Sequence, residues 1–463
     1  MNLRIIFEYK LGIALKSEKN IQKQGQYTER VGMLIEFKVK NFLSIKEEQT
    51  FSMLPAGKVP LKDNPNNVTS KMESTANLNL LKSTIIYGAN ASGKSSFLKA
   101  FSALRYLVVE SIDFKLDEEI PTYEPFKLDD ESREAPIEFE IDFIANKVRY
   151  TYKVIFDKKA FLYESLVFYP KKQPAKLFVR EIGGKISYGE YYSGSKKHEL
   201  FDNQLVLSKA GSTAIESLIA PYRYFSKYFY VHIIHDTHYD QAVIRSFTNF
   251  WAEKKDSSFR KNMHKLIKIA DTGITDFTLR ERNLDEFGLP EDMSEEEKKE
   301  IAEKYKYSVK TIHKTYQGKN CIGQMNFDLN EESTGTIKLM VVGGLILDAL
   351  EDGSTMIIDE LDKSLHPLLT RMLIQLFHSE KNNPKGAQLI FATHDVSLID
   401  VDLFRRDQIG LTEKDEYGCT EIYPLSDYTG ISKVKPLENW YLRGRFGGIP
   451  VINDYELDLE FDQ

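Results

Sequence analysis

Residues 83 to 98, Ser-Thr-Ile-Ile-Tyr-Gly-Ala-Asn-Ala-Ser-Gly-Lys-Ser-Ser-Phe-Leu, dictate more of this chain's architecture than any other stretch. Thr84 to Tyr87 is a short β-branched and aromatic run that reads as a buried strand. The spacing G-x-x-x-x-G-K-S follows, and Ser95 to Ala100 opens a helix. A strand, a glycine loop and a helix in that order is the context a phosphate-binding loop requires. Gly88 and Gly93 free the backbone to turn its N–H groups inward, and the helix N-terminus adds its positive end. The candidate binding positions are Gly88, Asn90, Ala91, Ser92, Gly93, Lys94, Ser95 and Ser96. Lys94 is suited to the β- and γ-phosphates of a nucleoside triphosphate, and the Ser95 hydroxyl to Mg²⁺.

A second chemical block spans residues 325 to 400. The apolar helix Ile337 to Leu350 ends at Asp352-Gly353, and the strand Thr355-Met356-Ile357-Ile358 finishes on Asp359-Glu360. After a helix from Leu368 to His378, the strand Gln388 to Ala392 ends on Thr393-His394-Asp395. Strands alternating with helices imply an α/β fold with a parallel sheet and ligands at the strand C-termini, where these polar residues fall. Beside a phosphate loop, Asp359 is a candidate for the Mg²⁺ shell that Ser95 completes, and Glu360 for the general base that activates water. His394 is placed to contact a γ-phosphate. Ser333 and Gly335 precede a helix, which suits either an anion site or an ordinary N-cap.

The remaining chain sets limits. With 463 residues there is room for roughly two to three domains. A net charge of −7 gives no global signal for nucleic acid. Cys321 and Cys419 are far apart, so neither a zinc hook nor a disulfide framework is indicated, which fits a reducing cytoplasm. No stretch approaches the ~18 apolar residues of a membrane helix, and the N-terminus lacks a signal-peptide pattern. Residues 1–32 read as an extension that is non-native or poorly ordered, because Met33 begins a clean alternating strand; the competing reading is a real extra strand over the apolar run Leu3 to Tyr9. Residues 33–111 then form an N-terminal lobe carrying the phosphate loop. Residues 112–319 are an insertion, with an antiparallel meander to residue 231 and helices over 241–270 and 290–306. Ser294 and Glu297 stand at capping-box spacing in the last of these. Residues 320–463 form the C-terminal lobe. No heptad repeat supports a coiled-coil arm.

Taken together, Gly88 to Ser95, Ser333-Thr334-Gly335-Thr336, Met356 to Glu360, Asp362 to Pro367 and Ala392 to Asp395 resemble the ABC-type P-loop NTPase head shared by the SMC, RecF and OLD ATPases. The start at Met33, the Glu-Glu-Ser-x-Gly-Thr signature and the tail around Tyr441 to Pro450 resemble a narrower group, the AAA-15 ATPases with the RloA- and AbiL-type abortive-infection proteins. The resemblance implies a mostly parallel sheet with an antiparallel meander and a helical insertion. It implies ATP and Mg²⁺ as cofactors and two heads sandwiching two ATP molecules in a homodimer or higher homo-oligomer. Ser333 and Gly335 would contact the γ-phosphate held by a second subunit, Asp362 would lie on the loop crossing the interface, and His394 would be the switch histidine. It further implies a cytoplasmic defence role against phage, with a separate nuclease-like effector from a neighbouring gene. The alternatives are a DNA-repair or DNA-binding ATPase of RecF or SMC type, with nucleic acid as a ligand, and a binding module with a vestigial ATPase. The signature departs from the usual Leu-Ser-Gly-Gly-Gln, and neither Gln204 nor Gln241 stands in a convincing context for the Mg²⁺-sensing glutamine.

Two other clusters weigh less. His232, His235 and His238 with Asp236 and Asp240 suggest a metal site, but Phe229 to Ile234 reads as a strand, which would scatter the rings. Asp400 and Asp402 resemble a metal pair, but only 69 residues follow His394, too few for the nuclease domain of OLD proteins, and they read as a solvated turn. The aromatic meander could stack nucleobases, although alternation over a buried face explains it as well.

Overall fold

The structure, a computed structural model, describes residues 32–69, 78–195, 199–232, 247–252, 254, 258–270, 272–283, 286, 289–290, 293–431 and 436–450. Of the expected extension over residues 1–32, residues 1–31 lie outside the described residues, as do His235, Asp236, His238, Asp240 and Gln241, whereas Gly32 is already the first residue of a strand.

Two sheets sandwich one helix. The first is antiparallel and has seven strands in the order β2-β1-β4-β5-β6-β7-β8. Its members are β1 (Gly32–Lys40), β2 (Gln49–Ser52), β4 (Ile137–Ala145), β5 (Val148–Phe156), β6 (Phe161–Tyr169), β7 (Ala175–Arg180) and β8 (Ile186–Tyr188). Strict apolar–polar alternation in β4 and β5 puts one face inward, so Phe139, Phe143, Tyr152 and Phe156 are core residues. Those rings are buried against protein and are not available to stack bases. The meander is also not a separate sheet, because β1 pairs antiparallel with β4 across about a hundred residues of chain.

The second sheet has six strands in the order β16-β15-β3-β14-β13-β9. These are β3 (Ser83–Gly88), β9 (Phe229–His232), β13 (Thr355–Ile358), β14 (Gln388–Ala392), β15 (Ile409–Lys414) and β16 (Thr420–Pro424). All neighbours pair in parallel except β16 with β15. One correction follows. Residues 229 to 231 leave the meander and pair with the Asp359 strand instead, with His232 opposite Ile358. A four-residue run carries no mark of which sheet will accept it.

Helix α1 (Lys94–Glu110) fills the space between the sheets. Phe97, Phe101, Leu104 and Val108 recur at helical spacing and are fully buried. Phe101 stacks on Phe37 of β1 at 4.3 Å. Strand residues divide by parity, as a sheet covered on both faces requires. Ile86, Ile357 and Ile390 face α1, whereas Ile85, Tyr87, Ile358 and Phe391 face a second core. That core is built on α2 (Ser258–Ile269), α4 (Thr334–Asp352) and α5 (Pro367–His378). Between α2 and α4 lies α3 (Glu295–Lys304), whose Ser294–Glu297 capping box forms as the spacing predicts. A three-stranded antiparallel sheet of β10 (Ile274–Glu281), β11 (Tyr307–Gln317) and β12 (Asn320–Asp328) completes the molecule. It is absent from the sequence reading.

Gln388 ties the two large sheets together. It is fully buried on β14. Its Oε1 accepts from Leu34 N at 2.7 Å and from Thr355 Oγ1 at 3.0 Å, and its Nε2 donates to the carbonyls of Leu34 and Leu81.

Candidate nucleotide site

The phosphate loop leaves the C-terminal end of β3 in the middle of the parallel sheet. Its glycines are fixed by close approach. A Cβ on Gly88 would lie 2.2 Å from Thr412 Oγ1. Gly93 has φ of 106°, and a Cβ there would lie 2.1 Å from Thr420 Oγ1. Ala91 also takes a left-handed conformation, at φ of 63°. Two threonines buttress the loop from behind. Ser92 Oγ and Thr412 Oγ1 are 2.6 Å apart, and Thr420 Oγ1 donates to the Ser92 carbonyl. Gly93 is the N-cap of α1 and offers no side chain, so the first N–H groups of the helix remain open to an anion.

Lys94 is buried and bends back along the loop. Its ammonium donates to the carbonyls of Gly88 (2.8 Å) and Ala89 (3.0 Å). Burial holds its pKa below the usual lysine value, opposed by the charges of Asp359, Glu360 and Asp362.

Residues 90–96 line a cleft of about 350 Å³, together with Asp359, Glu360, residues 392–394 and Lys414. Two stretches some 265 positions apart thus meet as their chemistry requires. Asp359 sits at the tip of β13 with its N–H bonded to the His232 carbonyl (3.0 Å). Its carboxylate makes no hydrogen bond or ion pair among the described residues, although Asp359 is only 5% exposed. A buried carboxylate left in this way suits a hard divalent cation, and Ser95, which lines the same cleft, carries a hydroxyl that suits its shell. Glu360 has φ of 51°, and its Oε2 pairs with Lys363 at 2.7 Å. His394 lies at the cleft rim. Burial, then the Lys94 charge, lower its pKa, against the pull of Asp362, Glu360 and Asp359. The imidazole is therefore neutral at pH 7 and can donate or accept.

Ser333, Gly335 and Asp362 do not line this cleft. Ser333 caps α4, its Oγ accepting from Thr336 N at 3.1 Å. A Cβ on Gly335 would lie 2.7 Å from the Ser364 carbonyl, so the start of α4 rests on the loop after Glu360. Asp362 lies on that loop, with a buried Oδ1 that has no hydrogen-bond partner among the described residues. Asp400 is bonded to Arg371 (2.6 Å). No metal-binding cluster of His, Cys, Asp and Glu is present among the described residues. The Gln204 amide donates to the carbonyls of Ile112 and Phe114, which gives it a structural role.

The sequence reading missed Lys414 and Lys338. Lys414 ends β15, which runs parallel to β3 with Thr412 opposite Gly88. The rule that ligands gather at parallel-strand C-termini could have found it. Lys338 stands inside α4, and its ammonium donates to the Glu360 carbonyl at 2.7 Å. Nothing in the local sequence separates it from an ordinary helical lysine.

No curated protein matches the sequence. Among solved structures, the SMC head bound to the C-winged helix domain of ScpA is similar at 13% identity, covering 84% of this chain and 97% of that one with a TM-score of 0.41. The SMC head domain from Thermotoga maritima is similar at 14% identity, covering 84% and 98% with a TM-score of 0.37. The family described as "AAA domain, putative AbiEii toxin, Type IV TA system" matches residues 83–400, more than half of the chain, a span that holds every lining residue of the cleft except Lys414. The chain belongs to that AAA ATPase family.

Proposed function

We propose that this chain hydrolyses ATP with Mg²⁺ and that ATP gates its dimerisation. The convergence of Lys94, Ser95, Asp359, Glu360 and His394 on one cleft carries the reading. The loop N–H groups and the start of α1 would hold the phosphates. Lys94 would exchange its two carbonyl partners for phosphate oxygens. Ser95 and Asp359 would hold Mg²⁺, which when bound offsets charge on the β- and γ-phosphates. Glu360, once released from Lys363, would take a proton from the attacking water, and His394 would meet the γ-phosphate from the strand tip. Lys94→Ala is expected to lose ATP binding. Glu360→Gln is expected to keep binding while turnover falls about 10²- to 10⁴-fold, as removal of a general base does. Wild-type turnover in Glu360→Gln would refute the assigned base.

In the dimer, Ser333 and Gly335 would present the α4 N-terminus to the second subunit's γ-phosphate, and Asp362 would face that subunit. The likeness to abortive-infection ATPases and the toxin–antitoxin wording of the family description support a role in anti-phage defence with a separate effector. Phage plating on cells carrying wild type or Lys94→Ala tests it, and equal protection would reject the role. The DNA-repair alternative gains nothing from the meander, whose aromatic face is buried.

A further inference from the structure

We propose that Lys338 is a positioning residue for Glu360, coupling the start of α4 to hydrolysis in the same chain. The inference rests on Glu360 being the base. Lys338 is buried, one turn into α4, yet it makes no ion pair among the described residues. Its ammonium is directed instead to a main-chain oxygen, the Glu360 carbonyl, at 2.7 Å. That carbonyl belongs to a non-glycine residue in the left-handed region, a conformation that persists only where neighbours impose it. A hydrogen bond from a charged donor is strong enough to impose it. Four residues on, the same loop meets Gly335, where a Cβ would come within 2.7 Å of the Ser364 carbonyl. The α4 start therefore grips the 360–364 loop at two points. A shift of α4 as Ser333 docks on another nucleotide would move the Glu360 backbone with it. The charges facing Lys338 are Asp362, Glu360 and Lys363, all from this loop. Burial brings its pKa down to about 8, so it remains a cation at pH 7.

The test measures ATP affinity and single-turnover rate for Lys338→Met, Glu360→Gln and the double variant. Lys338→Met is expected to bind ATP as the wild type does and to lose about 10²-fold in rate, the scale of a small misplacement of a catalytic group. Adding it to Glu360→Gln is expected to cost nothing further, because both act through one carboxylate. Multiplied losses in the double variant, or a parallel loss of ATP binding, overturn the proposal. If Lys338→Met does not fold, Lys338→Arg, which keeps a charged donor, is the second variant. It is expected to retain turnover, and a folded Lys338→Arg with about 10²-fold lower rate overturns the coupling. A wild-type rate in Glu360→Gln instead removes the base assignment. A defective Glu360→Gln beside a fully active Lys338→Met removes only the role of Lys338.

Discussion

Two histidines make the fold sensitive to acid. His378 ends α5, and its Nε2 lies 2.7 Å from Ser83 Oγ. That hydroxyl also accepts from Gln408 Nε2. Burial, then the Lys82 charge, take the His378 pKa down to about 3. His232 is taken down to about 4 by burial and then by Arg105. Both pKa values lie below the unfolded value near 6.5. The unfolded chain therefore binds more protons between pH 6.5 and about 4, and stability is full above 6.5 and falls as the pH drops. Each group contributes a loss of about 1.4 kcal/mol per pH unit in that window. Denaturant midpoints should fall between pH 7 and 5, less steeply in His378→Asn. A flat wild-type profile would contradict this. None of this was legible in sequence, where His378 is one more residue on an amphipathic helix. The phosphate loop and the acidic strand tip were legible because their spacing is local: Gly88, Gly93, Lys94 and Ser95 sit within eight positions, and Asp359-Glu360 ends an apolar run.

At the scale of elements, what could be read ahead depended on burial. Strands β4 and β5 alternate because one face is covered, and they were found. Strand β12 is exposed along almost its whole length, so its sequence carries no alternation, and it was missed together with β10 and β11. Pairing between distant strands left no trace either, as the β1–β4 and β9–β13 ladders show. Gln388, the joint between the sheets, resembles any polar residue at a strand start. Gln388→Leu would take the side-chain partner from three main-chain groups, the Leu34 N–H and the Leu34 and Leu81 carbonyls, while the Thr355 hydroxyl keeps the Gly32 carbonyl. At about 1–3 kcal/mol for a buried unsatisfied group, the loss should reach at least about 3 kcal/mol. Chemical denaturation measures this directly, and a change within about 0.5 kcal/mol would show that the sheets hold together without it.

Considered whole, the molecule has a cleft that joins residues 90–96 to residues between 359 and 414, and a face at the α4 start that does not line that cleft. If the α4 face completes a second copy's site, Glu360→Gln with ATP and Mg²⁺ should sediment as a dimer. Lys94→Ala should remain monomeric under the same conditions. A monomeric Glu360→Gln with ATP bound would separate hydrolysis from association. The arrangement of the parallel sheet has a consequence for the timing of activity. The strand bearing the phosphate loop is flanked by partners from residues 388–392 and 409–414. A chain emerging from the ribosome displays its glycine loop early, with neither flank in place. Until some three hundred further residues have been made, the loop has neither neighbouring strand of its sheet, so a half-made copy lacks the cleft.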